Sequence, residues 1–319
     1  MIGVMGAGAF GTALAISLAS KTDVILWSRD AQNADHMQNT RENRKRLPNV
    51  ALPAKITISA DTDALHSADQ ILLAVPMQQL STIAKMHRTI LSDKDLIACC
   101  KGVDLQTGKG PVGMLQQIFP TSHPSILTGP SFAADIARGL PTALTLANAD
   151  PDTALRLQPI LSTDTLRLYI SHDVIGAELG GGLKNIMAIA CGATIGAGMG
   201  ESARAAIITR GFAELRRFAL AQGAQADTLI GLSGFGDLVL TCTSDKSRNY
   251  RFGQTLAKDA TWSSDETVEG VTTARAVAKT AANQGIDMPI TKAIVAVIEH
   301  KITVKDAIDA LLARPLKKE

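Results

Sequence analysis

The spacing of hydrophobic residues changes character part-way along this chain. In the first half, short apolar runs recur between polar stretches: Ile2–Met5, Asp23–Trp27, Ile56–Ile58, Gln70–Val75, Asp95–Cys99, Ser125–Thr128 and Thr142–Ala147. Short runs of this kind, rich in Ile, Leu and Val, predict buried strands. Thr12–Ser20, with Leu14 and Leu18 on one face, and Gln78–Leu91 read as helices. Strands alternating with helices predict an α/β fold on a doubly wound parallel sheet. Beyond about residue 172 the apolar residues fall at helical spacing. Within Ala203–Gln222, Ile208, Phe212, Leu215 and Ala219 form one stripe; Pro289 opens a helix faced by Ile290, Ile294, Val297 and Ile298. Val304, Ala307, Ile308, Leu311 and Leu312 mark a last helix before a Lys317-Lys318 tail. The chain is thus expected to form an α/β domain over residues 1–172 and an all-helical domain over 173–319.

The first strand runs into Gly6-Ala7-Gly8-Ala9-Phe10-Gly11, the pattern G-x-G-x-x-G, and is followed by a helix and a second strand within about 30 residues. In that context Gly6 permits a tight turn, Gly8 lets the backbone approach a pyrophosphate, and Gly11 allows close helix–strand packing. The helix N-terminus then directs its unpaired N–H groups at the phosphates. Residues 1–172 are accordingly expected to be a Rossmann-type, dinucleotide-binding domain. The second strand ends Trp27-Ser28-Arg29-Asp30. Ser28 and Arg29 suit a ribose 2′-phosphate, and Asp30 stands one position late for the acid that usually accepts the 2′-OH, so NADP is favoured over NAD. Ligands of such sheets bind beyond the carboxyl ends of the strands. That rule selects Lys101-Gly102 and Gly129-Pro130-Ser131-Phe132 as crevice residues.

Composition narrows the function classes. The chain has 319 residues, enough for two domains, and 46% hydrophobic content, which excludes a disordered or collagen-like chain. A net charge of +2 argues against a nucleic-acid binder, and 3% aromatics against a base-stacking platform. Cys99, Cys100, Cys191 and Cys242 show no CxxC spacing, so buried, reduced thiols in a cytoplasmic protein are expected, with no metal site. Residues 1–20 are uncharged, but no basic residue precedes them, and their four glycines would each cost a helix about 1 kcal/mol. No integral membrane segment is expected there, and no other window revives one. Apolar faces on the last helices leave a homodimer open.

The helical half carries stretches that a plain bundle does not need. Glu178-Leu179-Gly180-Gly181-Gly182-Leu183-Lys184-Asn185 sets three glycines before a Lys-Asn pair. In Gly234-Phe235-Gly236-Asp237-Leu238-Val239-Leu240-Thr241-Cys242, Asp237 and Thr241 are four apart and share a helix face. Ser247-Arg248-Asn249 opens Tyr250–Lys258, which reads as helix, and an Arg-Asn pair at a helix start suits a phosphate.

The segments GAGAFG, LPNVALP, CKGV, GPSFAAD, GGLKNI, GFGDLVLTC and SRNYRFG, in that order, resemble the NAD(P)-dependent glycerol-3-phosphate dehydrogenases of bacterial type, from Gly3 to about Leu312. The resemblance implies a Rossmann domain followed by an all-helical domain, and a soluble oxidoreductase supplying glycerol 3-phosphate for phospholipid synthesis. It implies that Lys184 is the proton donor and acceptor, with Lys101, Asn185, Asp237 and Thr241 around the reacting carbonyl. Gly129, Ser131, Ser247, Arg248 and Asn249 match substrate positions, Arg248 and Asn249 those at the phosphate. Phe10, Arg29, Lys101, Ala133, Arg248 and Glu269 match positions contacting the nicotinamide cofactor. Phe10, Asp104, Asp135 and Gly182 depart conservatively from the family pattern. Two other readings stay open at this point: a related dehydrogenase acting on a carboxylate substrate, and a cofactor sensor without chemistry.

Overall fold

The computed structural model describes residues 1–104, 109–258, 262 and 268–313. The Lys317-Lys318 tail lies outside the described residues. Packing divides the chain into two units, Met1–Glu178 and Leu179–Glu319.

In the first unit the chain runs β1 (Ile2–Met5), α1 (Ala9–Leu18), β2 (Val24–Trp27), α2 (Ala31–Thr40), β3 (Glu42–Asn43), β4 (Leu47–Ala51), β5 (Ile56–Ser59), β6 (Gln70–Leu73), α3 (Met77–Met86), α4 (Arg88–Leu91) and β7 (Asp95–Ala98). It continues through α5 (Pro111–Ile118), β8 (Ser125–Thr128), α6 (Ala133–Ala137), β9 (Thr142–Ala147), α7 (Pro151–Leu161) and β10 (Leu166–Ser171). Eight strands form one sheet in the order β10-β9-β8-β7-β6-β1-β2-β5, while β3 and β4 make a separate hairpin. Strand addition reverses direction between β1 and β6, which places a switch point beside the end of β1. The central strands β1 and β6 are buried throughout because helices cover both faces. Alternate residues therefore enter two cores: Ile2, Val4 and Leu72 on one side, Met5, Ile71 and Leu73 on the other.

Strands β1, β8 and β9 keep the bounds read from the sequence. Other features differ, and β10 was not among the predicted strands. The sheet is not parallel throughout, because β9 pairs antiparallel with β8 and parallel with β10. The stretch read as one helix, Gln78–Leu91, breaks at His87, whose backbone (φ −106°, ψ 27°) leaves the helical region. The hairpin β3–β4 carries too few apolar residues for its pattern to announce a strand.

The unit boundary falls inside α8 (Val174–Gly196), a single helix that runs through all three consecutive glycines. It is the one described helix long and apolar enough to cross a bilayer, a window passed over in the sequence; 78% of its most apolar stretch is buried, as in a core helix. The second unit continues with α9 (Gly200–Ala221), α10 (Ala226–Ile230), a π-helical turn (Leu232–Gly236), α11 (Asp237–Cys242), α12 (Arg248–Leu256), α13 (Glu269–Asn283), α14 (Pro289–Ile298) and α15 (Val304–Leu312). Its core joins Ile186, Ile189, Leu215, Phe218, Leu238, Tyr250 and Val277. Ile290, Ile294 and Ile298 of α14 are buried in this core, while Val297 packs with Ala193, Val304 and Ala307 in a smaller one. Glycines set the helix spacing. A Cβ at Gly192 would overlap the carbonyl oxygen of Tyr250, and one at Gly253 that of Ile189, so α8 and α12 cross backbone to backbone.

Candidate functional site

The glycine turn after β1 has the stereochemistry its spacing requires. Gly6 has φ +118°, and a Cβ there would lie 2.5 Å from the Ala74 carbonyl oxygen. A Cβ on Gly11 would meet the Gly6 carbonyl and lie 2.9 Å from the Ala74 Cβ, so this glycine fixes how closely α1 approaches the strands. Gly8 differs: nothing lies within 4 Å of its Cβ position. It is the N-cap of α1, and no side chain caps that terminus. Open space before uncapped amides is the cradle a pyrophosphate needs.

Ser28 is buried, and its hydroxyl reaches the Asp30 carbonyl at 3.3 Å. Arg29 is exposed, with its guanidinium 3.4 Å from Gln79 Oε1. Asp30 caps α2, its carboxylate accepting from the Asn33 amide at 3.1 Å. That capping accounts for an acid three residues after β2. Phe10 packs partly buried against the core beneath α1. Beyond β7 and β8, the Gly129 carbonyl accepts from Lys101 Nζ at 3.4 Å and from the Ser131 hydroxyl at 3.2 Å. Gly129 holds φ +141° there, and Ala133 opens α6 a few residues on. The two loops singled out beyond the strand ends are therefore in contact.

In the second unit, Lys184 of α8 is buried and its ammonium bonds the Asp237 carboxylate and, at 2.8 Å, the Thr241 hydroxyl. Thr241 in turn donates to the Asp237 carbonyl at 2.7 Å, which turns its oxygen lone pairs toward Lys184. Asp237 and Thr241 present one face of α11, as their spacing predicts. What brings them to Lys184 is another glycine contact. A Cβ on Gly180, one turn before Lys184, would sit 2.5 Å from the Ser233 carbonyl and 2.9 Å from Gly234 Cα, one turn before Asp237.

Ser247 caps α12, accepting from the Tyr250 amide at 3.3 Å, and Arg248 follows it, exposed at the first helical position. Asn249 is buried, and its Oδ1 accepts from the Gly270 amide at 2.9 Å, just after Glu269 opens α13. A Cβ on Gly270 would lie 2.8 Å from the Asn185 carbonyl, so α8, α12 and the α13 N-terminus converge. Lys184, Asn185, Asp237, Thr241 and Asn249 all belong to this unit's interior, while Gly6, Gly8, Phe10, Gly11, Ser28, Arg29, Lys101, Gly129, Ser131 and Ala133 belong to the first unit.

Sequence reasoning missed three residues. Asn43 donates from Nδ2 to the Ala7 carbonyl in the glycine turn at 3.0 Å and to the Thr12 hydroxyl at 2.8 Å. Gly270 provides the close approach just described. Glu178 accepts from the Val112 amide at 2.7 Å at the start of α5, and burial pushes its carboxyl up to about 7 against that hydrogen bond. Each belongs to a pairing far apart in sequence, so no local pattern marks it. The four cysteines are buried and form no disulfide; desolvation, then a contact with Cys191, raises the Cys242 thiol well above its ordinary value. Among the described residues, no group of three His, Cys, Asp or Glu side chains is arranged to hold a metal.

Comparison with known proteins adds to this geometry. Residues 1–154 match the family described as the NAD-dependent glycerol-3-phosphate dehydrogenase N-terminus, and residues 173–309 the corresponding C-terminus. A glycerol-3-phosphate dehydrogenase [NAD(P)+] of Roseobacter denitrificans is 56% identical across all of this chain and 99% of its own, and one of Ruegeria sp. is 55% identical over the same shares. The crystal structure of glycerol-3-phosphate dehydrogenase from Coxiella burnetii superposes with a TM-score of 0.92 at 34% identity, over 98% of each chain.

Proposed function

This chain belongs to the NAD-dependent glycerol-3-phosphate dehydrogenase family, and from that premise we propose that it interconverts sn-glycerol 3-phosphate and dihydroxyacetone phosphate. The observation that carries the chemistry is the buried Lys184, held by Asp237 and Thr241. A nicotinamide dinucleotide, when bound, supplies the hydride in reduction and accepts it in oxidation. The turn of Gly6, Gly8 and Gly11 suits its pyrophosphate, and Phe10, Lys101, Ala133, Arg248 and Glu269 are the further proposed contacts.

During reduction of the ketone, negative charge grows on the carbonyl oxygen. The Lys184 ammonium donates a proton to that oxygen; in oxidation the neutral amine takes it back. Asp237 and Thr241 hold Nζ at one place, so little reorganisation is needed when the charge moves. Thr241 and Asn185 orient the substrate but do not carry the proton, because neither side chain titrates near neutral pH. Arg248 at the start of α12 and the donor end of Asn249 bind the phosphate, where a helix N-terminus adds to the attraction. That remote anion binding orients the reacting carbon. Gly129, Ser131, Lys101 and Ser247 complete the proposed substrate contacts.

Ser28 and Arg29 at the end of β2 favour NADP over NAD, since a guanidinium there pairs with a 2′-phosphate. Placement in the cytoplasm fits a set of buried thiols that form no disulfide, and family membership suggests a supply of glycerol 3-phosphate for phospholipid synthesis. The test follows NADPH absorbance with dihydroxyacetone phosphate against a panel of 2-keto and 3-keto acids. Turnover with the triose phosphate alone is the expected result; turnover with a keto acid alone, or cofactor binding without any turnover, overturns the proposal. Comparing kcat/KM for NADPH and NADH before and after Arg29→Ala tests the cofactor preference, which is expected to fall about tenfold, one charge-assisted hydrogen bond's worth.

A further inference from the structure

The glycine turn is held by a residue outside it. Asn43 lies on β3, is 1% exposed, and sits 36 residues from Ala7 and 31 from Thr12 in sequence. Its contact with Ala7 is to a backbone carbonyl, which can only accept, so the amide nitrogen must face the turn. The same nitrogen donates to Thr12 Oγ1 in the first turn of α1. One amide group thus ties the middle of the turn to the start of the helix whose uncapped N–H groups follow it. The hairpin that carries Asn43 is itself fixed at its base. The Arg41 guanidinium bonds the carbonyls of Pro53 and, at 2.8 Å, Ile56, while the Leu52 amide donates to the Arg41 carbonyl at 2.8 Å. Glu42 accepts from the Asn49 amide at 2.9 Å across the hairpin. The LPNVALP stretch, to which the reaction assigns no role, supplies β4 and this base.

We propose that Asn43 is a positioning residue for dinucleotide binding, holding the Ala7 peptide and Thr12 so that the turn and the α1 N-terminus keep one anion-binding geometry. This rests on the reading of the turn as a dinucleotide site. Asn43 acts through Ala7 and Thr12, so its effect falls on cofactor affinity and not on proton transfer.

The test uses the full-length protein and two readouts: the NADPH dissociation constant from fluorescence enhancement without second substrate, and the steady-state constants. Asn43→Ala is expected to raise the NADPH dissociation constant and KM about tenfold, while kcat and the KM for dihydroxyacetone phosphate stay within about twofold. Thr12→Val, which removes one of the two bonds, is expected to raise the dissociation constant about threefold, and Thr12→Ser to restore it. A folded Asn43→Ala variant with unchanged NADPH affinity overturns the proposal, as does a fall in kcat that matches the loss of affinity. If Asn43→Ala does not fold, the Thr12 pair decides: equal affinities in Thr12→Val and Thr12→Ser overturn it. Wild-type protein that binds neither NADPH nor NADH overturns the cofactor reading itself; wild-type binding with indifferent variants overturns the positioning role alone.

Discussion

Glycine serves opposite ends in the two units. In the first, Gly8 faces empty space at the start of α1, and the missing side chain leaves room for a ligand. In the second, the missing side chains of Gly180, Gly192 and Gly253 are replaced at once by backbone atoms of Ser233, Tyr250 and Ile189. There glycine sets the distance between helices, and through it the meeting of Lys184 with Asp237. A residue type that reads the same in the sequence therefore leaves room for a ligand at Gly8 and sets helix packing at Gly180, Gly192 and Gly253.

The largest expected effect lies with the group that both helix contacts serve. Lys184→Ala should lower kcat by about 10²–10⁴-fold while leaving NADPH affinity unchanged. Activity within about tenfold of wild type, measured by NADPH oxidation, would sink the assignment. A sharper probe of the comparison exchanges one glycine in each unit. Gly253→Ala should lose about 2–3 kcal/mol of stability in denaturant unfolding, because the added methyl has only backbone to displace. Gly8→Ala should change stability by no more than about 0.5 kcal/mol yet weaken NADPH binding about tenfold or more. If Gly8→Ala unfolds the protein, or Gly253→Ala changes only affinity, the contrast fails.

Glu178 gives an intermediate effect through pH. Its folded pKa of about 7 lies above the ordinary 4.5, so the folded state holds a proton that the unfolded chain releases first. The advantage is complete below about pH 4.5 and is lost as pH rises through 7, on the order of 3 kcal/mol in all. Glu178→Gln should flatten this slope, raising the melting temperature at pH 8 relative to wild type more than at pH 5. A parallel pair of melting curves at both pH values would rule the titration out. The smallest effect belongs to Asp30. Its loss in Asp30→Ala should cost about 1 kcal/mol as a helix cap and leave the NADPH-to-NADH preference unmoved.

Much of the local framework was legible in the chain. The bounds of β1, β8 and β9, the glycine turn, the shared face of Asp237 and Thr241, and the helical second half all follow from spacing over a few residues. The antiparallel entry of β9 was not legible, because a buried strand looks the same in either direction. Nor was the break at His87, where no Pro or Gly interrupts the helical pattern. Asp30 shows the same limit in the site: its type and position fit both a ribose contact and a helix cap, and only the Asn33 amide beside it settles that the cap is formed.

By itself the sequence determined most of the local backbone conformations, the break at His87 excepted, since φ/ψ preference and hydrophobic period are properties of neighbouring residues. It set Gly6 at positive φ and the uncapped start of α1, and the family resemblance grouped Lys184 and Asp237 around one carbonyl without giving the contact between them. Only the tertiary structure decided the partners: Lys184 with Asp237 across 53 residues, Asn43 with Ala7 across 36. Those pairings depend on how closely whole helices and a hairpin can approach. That distance is fixed by packing, at glycines whose neighbours come from elsewhere in the chain.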